Sequence, residues 1–308
     1  MTTTDEDAGA VGATQDAEPD AVEHRSDVPE RGERLQVRSD EEIFDSFDRT
    51  VEEGADRLNR SLPGLLATGT MAGLDVGLGV LALLFVEHET GSVVLGGLAF
   101  TLGFLALALG RGELFTENFL VPVTTVITRK ASLRQLGRLW GVTYAMNLVG
   151  GWLIAALIVL AYPALHETAV TRGEDIMGRA LTLESFVLAV LAGAAITLMT
   201  WMQRNAETEF GALLAVIAFG FLLATAHMNH VIVISIKMFA ALQVGGTEYG
   251  YMDWFQLSSY SVLGNMIGGL GLVTVLRLVQ VGGAHIRRRQ RTPLTLRTNS
   301  GGRRRIRP

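Results

Sequence analysis

The chain has 308 residues, 49% of them hydrophobic, and it contains 35 glycines. This composition excludes an ordinary soluble domain and is typical of membrane proteins. The absence of cysteine excludes disulfides, thiolate metal sites and a cysteine nucleophile. The net charge of -5 conceals an asymmetry, because residues 1–60 carry 18 acidic and 7 basic side chains, whereas residues 277–308 carry 10 arginines and no acid.

The first part of the chain is polar and acidic. Residues 1–38 lack apolar periodicity, so we predict a disordered tail there. Residues 39–60 place Ile43, Phe47 and Val51 at roughly helical spacing, which predicts a cytoplasmic amphipathic helix. Two interpretations of this helix stay open: it lies on the membrane face or a partner subunit, or it is a short cytosolic helix with a weak apolar stripe.

Six apolar blocks follow, and together they predict a transmembrane channel domain over residues 61–281. They lie at about 63–86, 91–127, 139–163, 183–203, 211–243 and 256–280. Blocks two and five span about 37 and 33 residues, although roughly 20 helical residues suffice to cross a hydrocarbon core. Each of these two blocks also contains polar residues, which favours a break in the helix near residues 110–117 and 226–230.

The orientation follows from lysine and arginine in the short loops. The loop after block two, TRKASLRQLGR, carries four of them, whereas the loops after blocks one and five carry none. Residues 282–308 form an Arg-rich tail. We therefore expect an integral protein of the plasma (inner) membrane with both termini in the cytoplasm.

A short motif recurs in the two halves of the chain. Asn147-Leu-Val-Gly-Gly151 lies in block three, and Asn265-Met-Ile-Gly-Gly269 lies in block six, each after an over-long block. Three crossings per half invert the second half relative to the first. The sequence thus predicts an all-α membrane protein whose six transmembrane helices form two inverted three-helix repeats, with helices two and five broken.

Polar side chains gather in the two over-long blocks, where ionisable groups are costly unless they pair or face a cavity. Glu113 and Thr116 lie in block two, and His227, Asn229, His230 and Lys237 lie in block five. Structural readings stay open beside functional ones. Glu113 would hold the break by capping a helix or pairing with Arg111, and Lys237 would extend to the membrane interface.

The run GELFT at residues 112–116, the basic loop after it, Trp140 and the two Asn-x-x-Gly-Gly motifs resemble the formate/nitrite transporter family over about residues 40–280. The resemblance implies an aquaporin-like bundle of six helices per protomer, assembled as a homopentamer with one pore in each protomer. It also implies small monovalent anions as substrates: formate, nitrite, hydrosulfide, and in some members acetate or lactate.

The resemblance assigns roles to particular positions. Thr116 would be the threonine of the second-helix break and His227 the central histidine of the fifth-helix break. Apolar constrictions would be formed by Leu114, Phe115, Phe100, Phe104 and either Phe219 or Phe221. The chain departs from the family pattern around the histidine, since Ala226 replaces a glutamate and Asn229 and His230 follow. This departure leaves the register between His227 and His230 open, with His227 the preferred position.

We therefore predict a channel or transporter for anions of weak acids, coupled to protons through the central histidine, and not an enzyme. The expected partners are the anion, the lipid bilayer and four further copies of the chain, without nucleic acid, metal or cofactor. Two alternatives remain. One is an aquaporin-like channel for neutral solutes, although neither half contains an Asn-Pro-Ala triplet. The other is an intramembrane metal-binding protein using His227, His230 and Glu113.

Overall fold

The computed structural model describes residues 31–292, 294–297 and 303–306, and it describes side chains over residues 43–292. The internal contacts of the chain separate two units, Met1–Ser39 and Asp40–Pro308, and the second unit contains the membrane fold. Of the acidic tail predicted over residues 1–38, residues 1–30 lie outside the described residues.

The described residues are almost entirely helical. The helices are α1 (Arg31–Leu58), α2 (Leu62–Thr90), α3 (Val93–Gly110), α4 (Val121–Ile127), α5 (Leu133–Ala161), α6 (His166–Met177), α7 (Leu183–Asn205), α8 (Glu209–Thr225), α9 (Val231–Val244), α10 (Tyr251–Met266), α11 (Val275–Val281) and α12 (Gly283–Arg291). Short 3₁₀ turns cover Phe115–Phe119 and Pro163–Leu165, and a π-helical stretch, Ile267–Thr274, joins α10 to α11. Near the end of the chain, β1 (Leu294–Arg297) pairs antiparallel with β2 (Arg303–Ile306).

Five stretches of the described chain are long and apolar enough to cross a membrane. They are α2, α3, α5, α7 and the continuous helical segment Tyr251–Val281. Three shorter apolar segments, Phe115–Ile127, Glu209–Thr225 and Val231–Val244, lie beside them. The protein is thus an all-helical membrane protein, apart from the small hairpin near its end.

Helical structure stops within both over-long apolar blocks. In the first, α3 ends at Gly110, Arg111 adopts a left-handed conformation with φ 55°, and the 3₁₀ turn begins at Phe115. In the second, α8 ends at Thr225, His227 has φ 51°, and α9 begins at Val231. Non-glycine residues rarely adopt positive φ, so both segments leave the helix through an uncommon backbone conformation.

Glycines allow two pairs of helices to approach closely. A Cβ atom at Gly73 of α2 would fall on the backbone oxygen of Asn147 in α5. In the same way, a Cβ atom at Gly193 of α7 would fall on the backbone oxygen of Asn265 in α10. Small residues at such crossings let helix backbones pack together in membranes. The two Asn-x-x-Gly-Gly motifs therefore lie where α5 meets α2 and where α10 meets α7.

Helix α1 packs against the end of the last long helical segment. Phe47, Val51 and Ala55 are fully or almost fully buried and cluster with Val281. On the polar side of the contact, Arg289 of α12 pairs with Asp48 at 3.2 Å and with Glu52 at 3.1 Å. The apolar stripe that predicted a helix over residues 39–60 thus lies against the chain's own C-terminal helices.

Candidate functional site

The two non-helical segments bring one polar pair together in the middle of the molecule. Thr116 lies in the 3₁₀ turn after the first segment, and His230 is the residue before α9. The Thr116 Oγ1 and His230 Nε2 atoms are 2.6 Å apart, and both side chains are fully buried. A threonine and a histidine separated by 114 residues thus form a single hydrogen-bonded group.

The surroundings of His230 identify the tautomer of its ring. The backbone N–H of Val233 donates to His230 Nδ1 at 3.4 Å, so Nδ1 accepts at the first turn of α9. The ring proton therefore lies on Nε2, which donates to Thr116 Oγ1, and the ring is neutral. A second proton at Nδ1 would place two donors face to face and break the bond to Val233. The Thr116 hydroxyl hydrogen remains free to donate to another acceptor.

Two asparagines satisfy the backbone of the two non-helical segments in the same way. Asn147 donates to the oxygens of Gly69 and Glu113, each at 2.9 Å, and accepts from the N–H of Phe115 at 2.9 Å. Asn265 donates to the oxygens of Ala189 and Asn229, at 2.8 Å and 3.0 Å, and accepts from Val231 N–H at 3.0 Å. Backbone groups released from a helix inside a membrane need such partners.

Aromatic rings surround the Thr116–His230 pair. The Phe104 ring contacts the His230 ring edge-on, with 6.3 Å between centroids, and Phe100 packs on Phe104 at 5.2 Å. On the side of the first segment, Phe115 contacts Phe119 and Tyr144, each at 5.1 Å between centroids. The side chains of Phe100, Phe104 and Leu114 are fully buried and that of Phe115 is 5% exposed, so the pair is enclosed by apolar surface.

Glu113 is held by two arginines of the α1 region. Arg57 Nη1 lies 3.1 Å from Glu113 Oε1, Arg60 pairs with the other carboxylate oxygen, and Arg57 also donates to Asn118 Oδ1 at 3.1 Å. Burial opposes the charge of Arg57, but the carboxylates of Glu113 and Glu53 outweigh it and raise the pKa of this guanidinium. The carboxylate thus ties α1 to the first non-helical segment, and its partners are Arg57 and Arg60 instead of Arg111.

A cavity of about 440 Å³ lies beside this ion-pair cluster. Its walls carry both signs of charge and a few apolar groups: Glu53, Asp56, Arg57, Arg60, Leu107, Ala108, Arg111, Gly112, Glu113, Glu117, Gln203 and Arg204. Burial and the neighbouring Glu53 raise the pKa of Asp56 above its ordinary value. The cavity thus places charged groups of both signs next to the GELFT segment.

The remaining predicted site residues lie away from the central pair. His227 is half-buried, and His230, not the preferred His227, is the histidine that contacts Thr116. The Asn229 amide donates to Ser185 of α7 at 3.0 Å (O) and 2.8 Å (Oγ). Phe219 packs against the hydrophobic core that contains Phe104, whereas Phe221 is a partly buried residue of α8.

The side chain of Lys237, for which an extension to the membrane interface was the alternative interpretation, is buried within α9. Within the described residues, no group of three or more His, Asp or Glu side chains is arranged to hold a metal ion.

The sequence did not predict the contacts that Asn147, Asn265, Arg57 and Arg60 make. The repeated asparagines marked a repeat, but their bonds to backbone atoms 34 residues earlier in each half were not foreseen. Arg57 lies near the end of α1 and Arg60 lies just beyond it, and no pattern in the sequence linked them to Glu113. Two arginines shortly before a membrane segment that contains a glutamate are the signal that would have suggested this contact.

Comparisons with known proteins identify the family of this chain. The family model described as formate/nitrite transporter matches residues 44–279. The inner membrane protein YfdC of Escherichia coli (strain K12) is 29% identical over 283 residues, which cover 86% of this chain and 88% of that protein.

Two solved structures share the fold. One is titled FNT family ion channel and matches with a TM-score of 0.66 and 19% identity, covering 75% of this chain and 96% of that one. The other, titled pentameric formate channel with formate bound, matches with a TM-score of 0.57 and 21% identity, covering 69% and 94%. Since the family model spans most of the described chain, the chain belongs to the formate/nitrite transporter family.

Proposed function

We propose that the protein is a membrane channel or transporter for small monovalent anions of weak acids, such as formate or nitrite. The observation that carries this proposal is the enclosed Thr116–His230 pair between the two non-helical segments. It combines a free hydroxyl hydrogen, a protonatable ring and an apolar surround. Membership of the formate/nitrite transporter family and the fold of a formate channel support the same substrate class.

The proposed architecture has six crossings, formed as two inverted three-helix repeats. The second crossing consists of α3 and α4 with Phe115–Phe119 between them, and the fifth consists of α8 and α9. Support comes from length, because neither α8 nor α9 alone reaches the roughly 20 residues of a full span. Further support comes from the matching bonds of Asn147 and Asn265, each made to its own interrupted crossing.

Charge would attract the anion to the Thr116–His230 pair, and the anion would cross the apolar constrictions after it has become a neutral acid. A weak-acid anion at the pair accepts a hydrogen bond from the Thr116 hydroxyl and lies near the positive end of α9. The negative charge of the anion offsets the free-energy cost of adding a second proton to the His230 ring. The ring can accept that proton at Nδ1 only if its hydrogen bond from the Val233 N–H breaks. The proton then leaves with the anion as a neutral acid, which passes Leu114, Phe115, Phe100 and Phe104 more readily than an ion.

The protein would act as a homopentamer in the plasma membrane, with one pathway through each protomer. The pentameric assembly of the formate channel that shares this fold supports that state. The bias of basic residues toward the loop after block two supports cytoplasmic termini. In this orientation, α1 and α12 lie on the cytoplasmic face, and α1 lines the cavity beside Glu113.

Uptake into proteoliposomes tests this function directly. Purified protein is reconstituted, a pH gradient is imposed, and entry of labelled formate, nitrite, acetate and lactate is compared with that of glycerol. We expect formate or nitrite to enter faster than in protein-free vesicles, and faster when the outside is acidic. Entry of glycerol without any anion would support the neutral-solute channel instead and overturn the proposal.

A further inference from the structure

A groove on the surface of the helix bundle lies away from the Thr116–His230 pair. Its walls come from the end of α7, the first half of α8 and α11, and its volume is about 620 Å³. The lining is mainly apolar, with one charged member, and includes Trp201, Met202, Leu214, Ala215, Ala218 and Arg277. Met202 and Leu214 are about half exposed, so the groove opens to the surroundings of the bundle.

The groove has a polar end and an apolar end. Helix α7 ends at Asn205 and α8 begins at Glu209, so both helices reach the membrane interface at this point. Arg277 lies about one turn before the end of α11. Along α8, Ala218 follows Gly211 by seven residues, so the groove extends about 10 Å from the interface toward the hydrocarbon. In the proposed orientation, this interface is the cytoplasmic one.

Arg277 brings a positive charge to the groove. Its Cζ atom lies 4.8 Å from the centroid of the Trp201 ring, which is within the range of a cation–π contact. One N–H of the guanidinium donates to Gln280 Oε1 at 2.7 Å. Among the side chains described over residues 43–292, no carboxylate forms an ion pair with Arg277. A guanidinium has five N–H donors, so most of them are available to an acceptor outside the chain.

A cation at the mouth of an apolar groove matches the chemistry of an anionic phospholipid. The guanidinium can bind the phosphodiester through two parallel N–H···O bonds, and an acyl chain can cover the apolar walls. A zwitterionic lipid brings its own cation and leaves the charge of Arg277 without a counterion. Anionic lipids give the cytoplasmic leaflet its negative surface potential, so the expected ligand is present on this side of the membrane.

We propose that this groove binds one anionic phospholipid of the cytoplasmic leaflet. The phosphate lies on Arg277, and an acyl chain runs along Leu214, Ala215 and Ala218. Trp201 stands between the two parts, because its ring supports the guanidinium and belongs to the wall of the groove, as aromatic rings at the headgroup level commonly do. The competing occupant is a neighbouring subunit, which predicts that assembly, instead of lipid binding, depends on Arg277.

Binding of phosphatidylglycerol tests the headgroup contact. Delipidated protein in mild detergent is titrated with phosphatidylglycerol, and the lipid retained per chain is counted by native mass spectrometry. We expect Arg277→Gln to retain at least fivefold less than the wild-type protein, and Arg277→Lys to retain more than half. Arg134→Gln is the matched control with wild-type retention, since Arg134 is exposed at the start of α5 on the same side of the membrane.

Three results of this titration overturn the proposal. The first is wild-type retention of phosphatidylglycerol by Arg277→Gln. The second is equal retention of phosphatidylcholine and phosphatidylglycerol by the wild-type protein. The third is displacement of the lipid by excess inorganic phosphate, which has no acyl chain and would show a simple phosphate site.

The apolar part of the groove has its own test, which also applies if Arg277→Gln fails to assemble. Ala218→Phe fills the apolar end and leaves Arg277 in place, so it should lower the retained phosphatidylglycerol at least threefold. Phosphatidylglycerol with brominated chains should quench a fraction of the tryptophan fluorescence that Trp201→Phe lacks. Wild-type retention in Ala218→Phe, or equal fractional quenching in the wild-type protein and Trp201→Phe, overturns the proposal.

The assembly state separates the lipid from the competing occupant. If Arg277→Gln and Ala218→Phe lose the oligomer while each chain retains as much lipid as before, the groove is a contact between subunits and the proposal is wrong. Lipid binding is measured without transport, so its outcome does not depend on the proposed function. A protein that carries no anion in vesicles would refute that function and leave the lipid site unaffected.

Discussion

At the scale of single residues, the two histidines of the fifth apolar block have different surroundings and should have different roles. His230→Asn removes the ring that contacts Thr116 and should lower formate uptake at least tenfold at every pH. His227→Asn changes a half-buried side chain away from the pair and should keep most of the uptake. Both variants are compared in vesicles after size-exclusion chromatography confirms assembly. The reverse pattern, with loss in His227→Asn alone, would return the central role to His227.

Sequence could identify the histidine pair but not choose within it. His227 and His230 are three residues apart, and a choice between them requires the residue at which α9 begins. That start depends on Asn265, which holds Val231 N–H from another helix. No local signal near residue 230 encodes this contact. The residues around the histidines differ from the family pattern, so the resemblance could not decide between the two positions. Thr116, by contrast, was predicted as a pathway residue because GELFT is a compact motif.

Arg57 is the second residue whose environment supports a sharp prediction. Arg57→Met leaves the buried Glu113 carboxylate with Arg60 alone, so we expect a loss of stability below the roughly 3–5 kcal/mol of a buried charge left without any partner. We expect a clear fall in melting temperature and faster proteolytic cleavage within α1. Arg49→Met is the matched control, since Arg49 is exposed on the same helix. Equal stability of the two variants would show that the ion pair contributes little to holding α1.

At the scale of helices, the close crossings at glycine should tolerate no added methyl group. Gly193→Ala places a Cβ atom on the Asn265 backbone, so α7 and α10 must separate. Overpacking of this kind costs about 1–3 kcal/mol, and the shift would also strain the Asn265 bonds to α9. Gly141→Ala is the control, because no atom lies within 4 Å of its added Cβ. Thermal unfolding in detergent distinguishes them, and a wild-type midpoint for Gly193→Ala contradicts this account.

Length alone allowed either a steep tilt or an interruption in the two long apolar blocks, and their polar residues favoured an interruption because unpaired ionisable groups are costly in lipid. The detailed course of the backbone there could not be predicted. The 3₁₀ turn Phe115–Phe119 depends on Asn147 and on Trp140, whose indole N–H donates to the Asn118 oxygen at 3.0 Å. Similarly, the helix predicted over residues 39–60 overlaps α1, which begins at Arg31 and ends at Leu58, but its attachment to α12 depends on partners more than 200 residues away.

At the scale of the whole molecule, the proposed inverted repeats fix where each loop lies. A tag inserted at Glu248, between α9 and α10, should be reached by an impermeant reagent from outside intact cells. A tag at the C-terminus should be reached only after permeabilisation, and native mass spectrometry in mild detergent should show five chains. A cytoplasmic Glu248 tag would refute the three-plus-three arrangement. Detection of monomers alone would refute the pentamer but would leave the three-plus-three arrangement unaffected.

The bonds of Asn147 and Asn265 also have a consequence for biosynthesis. Asn147 and its partners, Gly69, Glu113 and Phe115, all precede residue 148, so a ribosome that has delivered this much chain has supplied everything the first interruption requires. The second interruption is likewise completed within its own stretch of chain. Thr116, by contrast, bonds to a histidine that is synthesised 114 residues later. The Thr116–His230 pair therefore forms only after the second half of the chain has been made, whereas the first interruption can be completed before it.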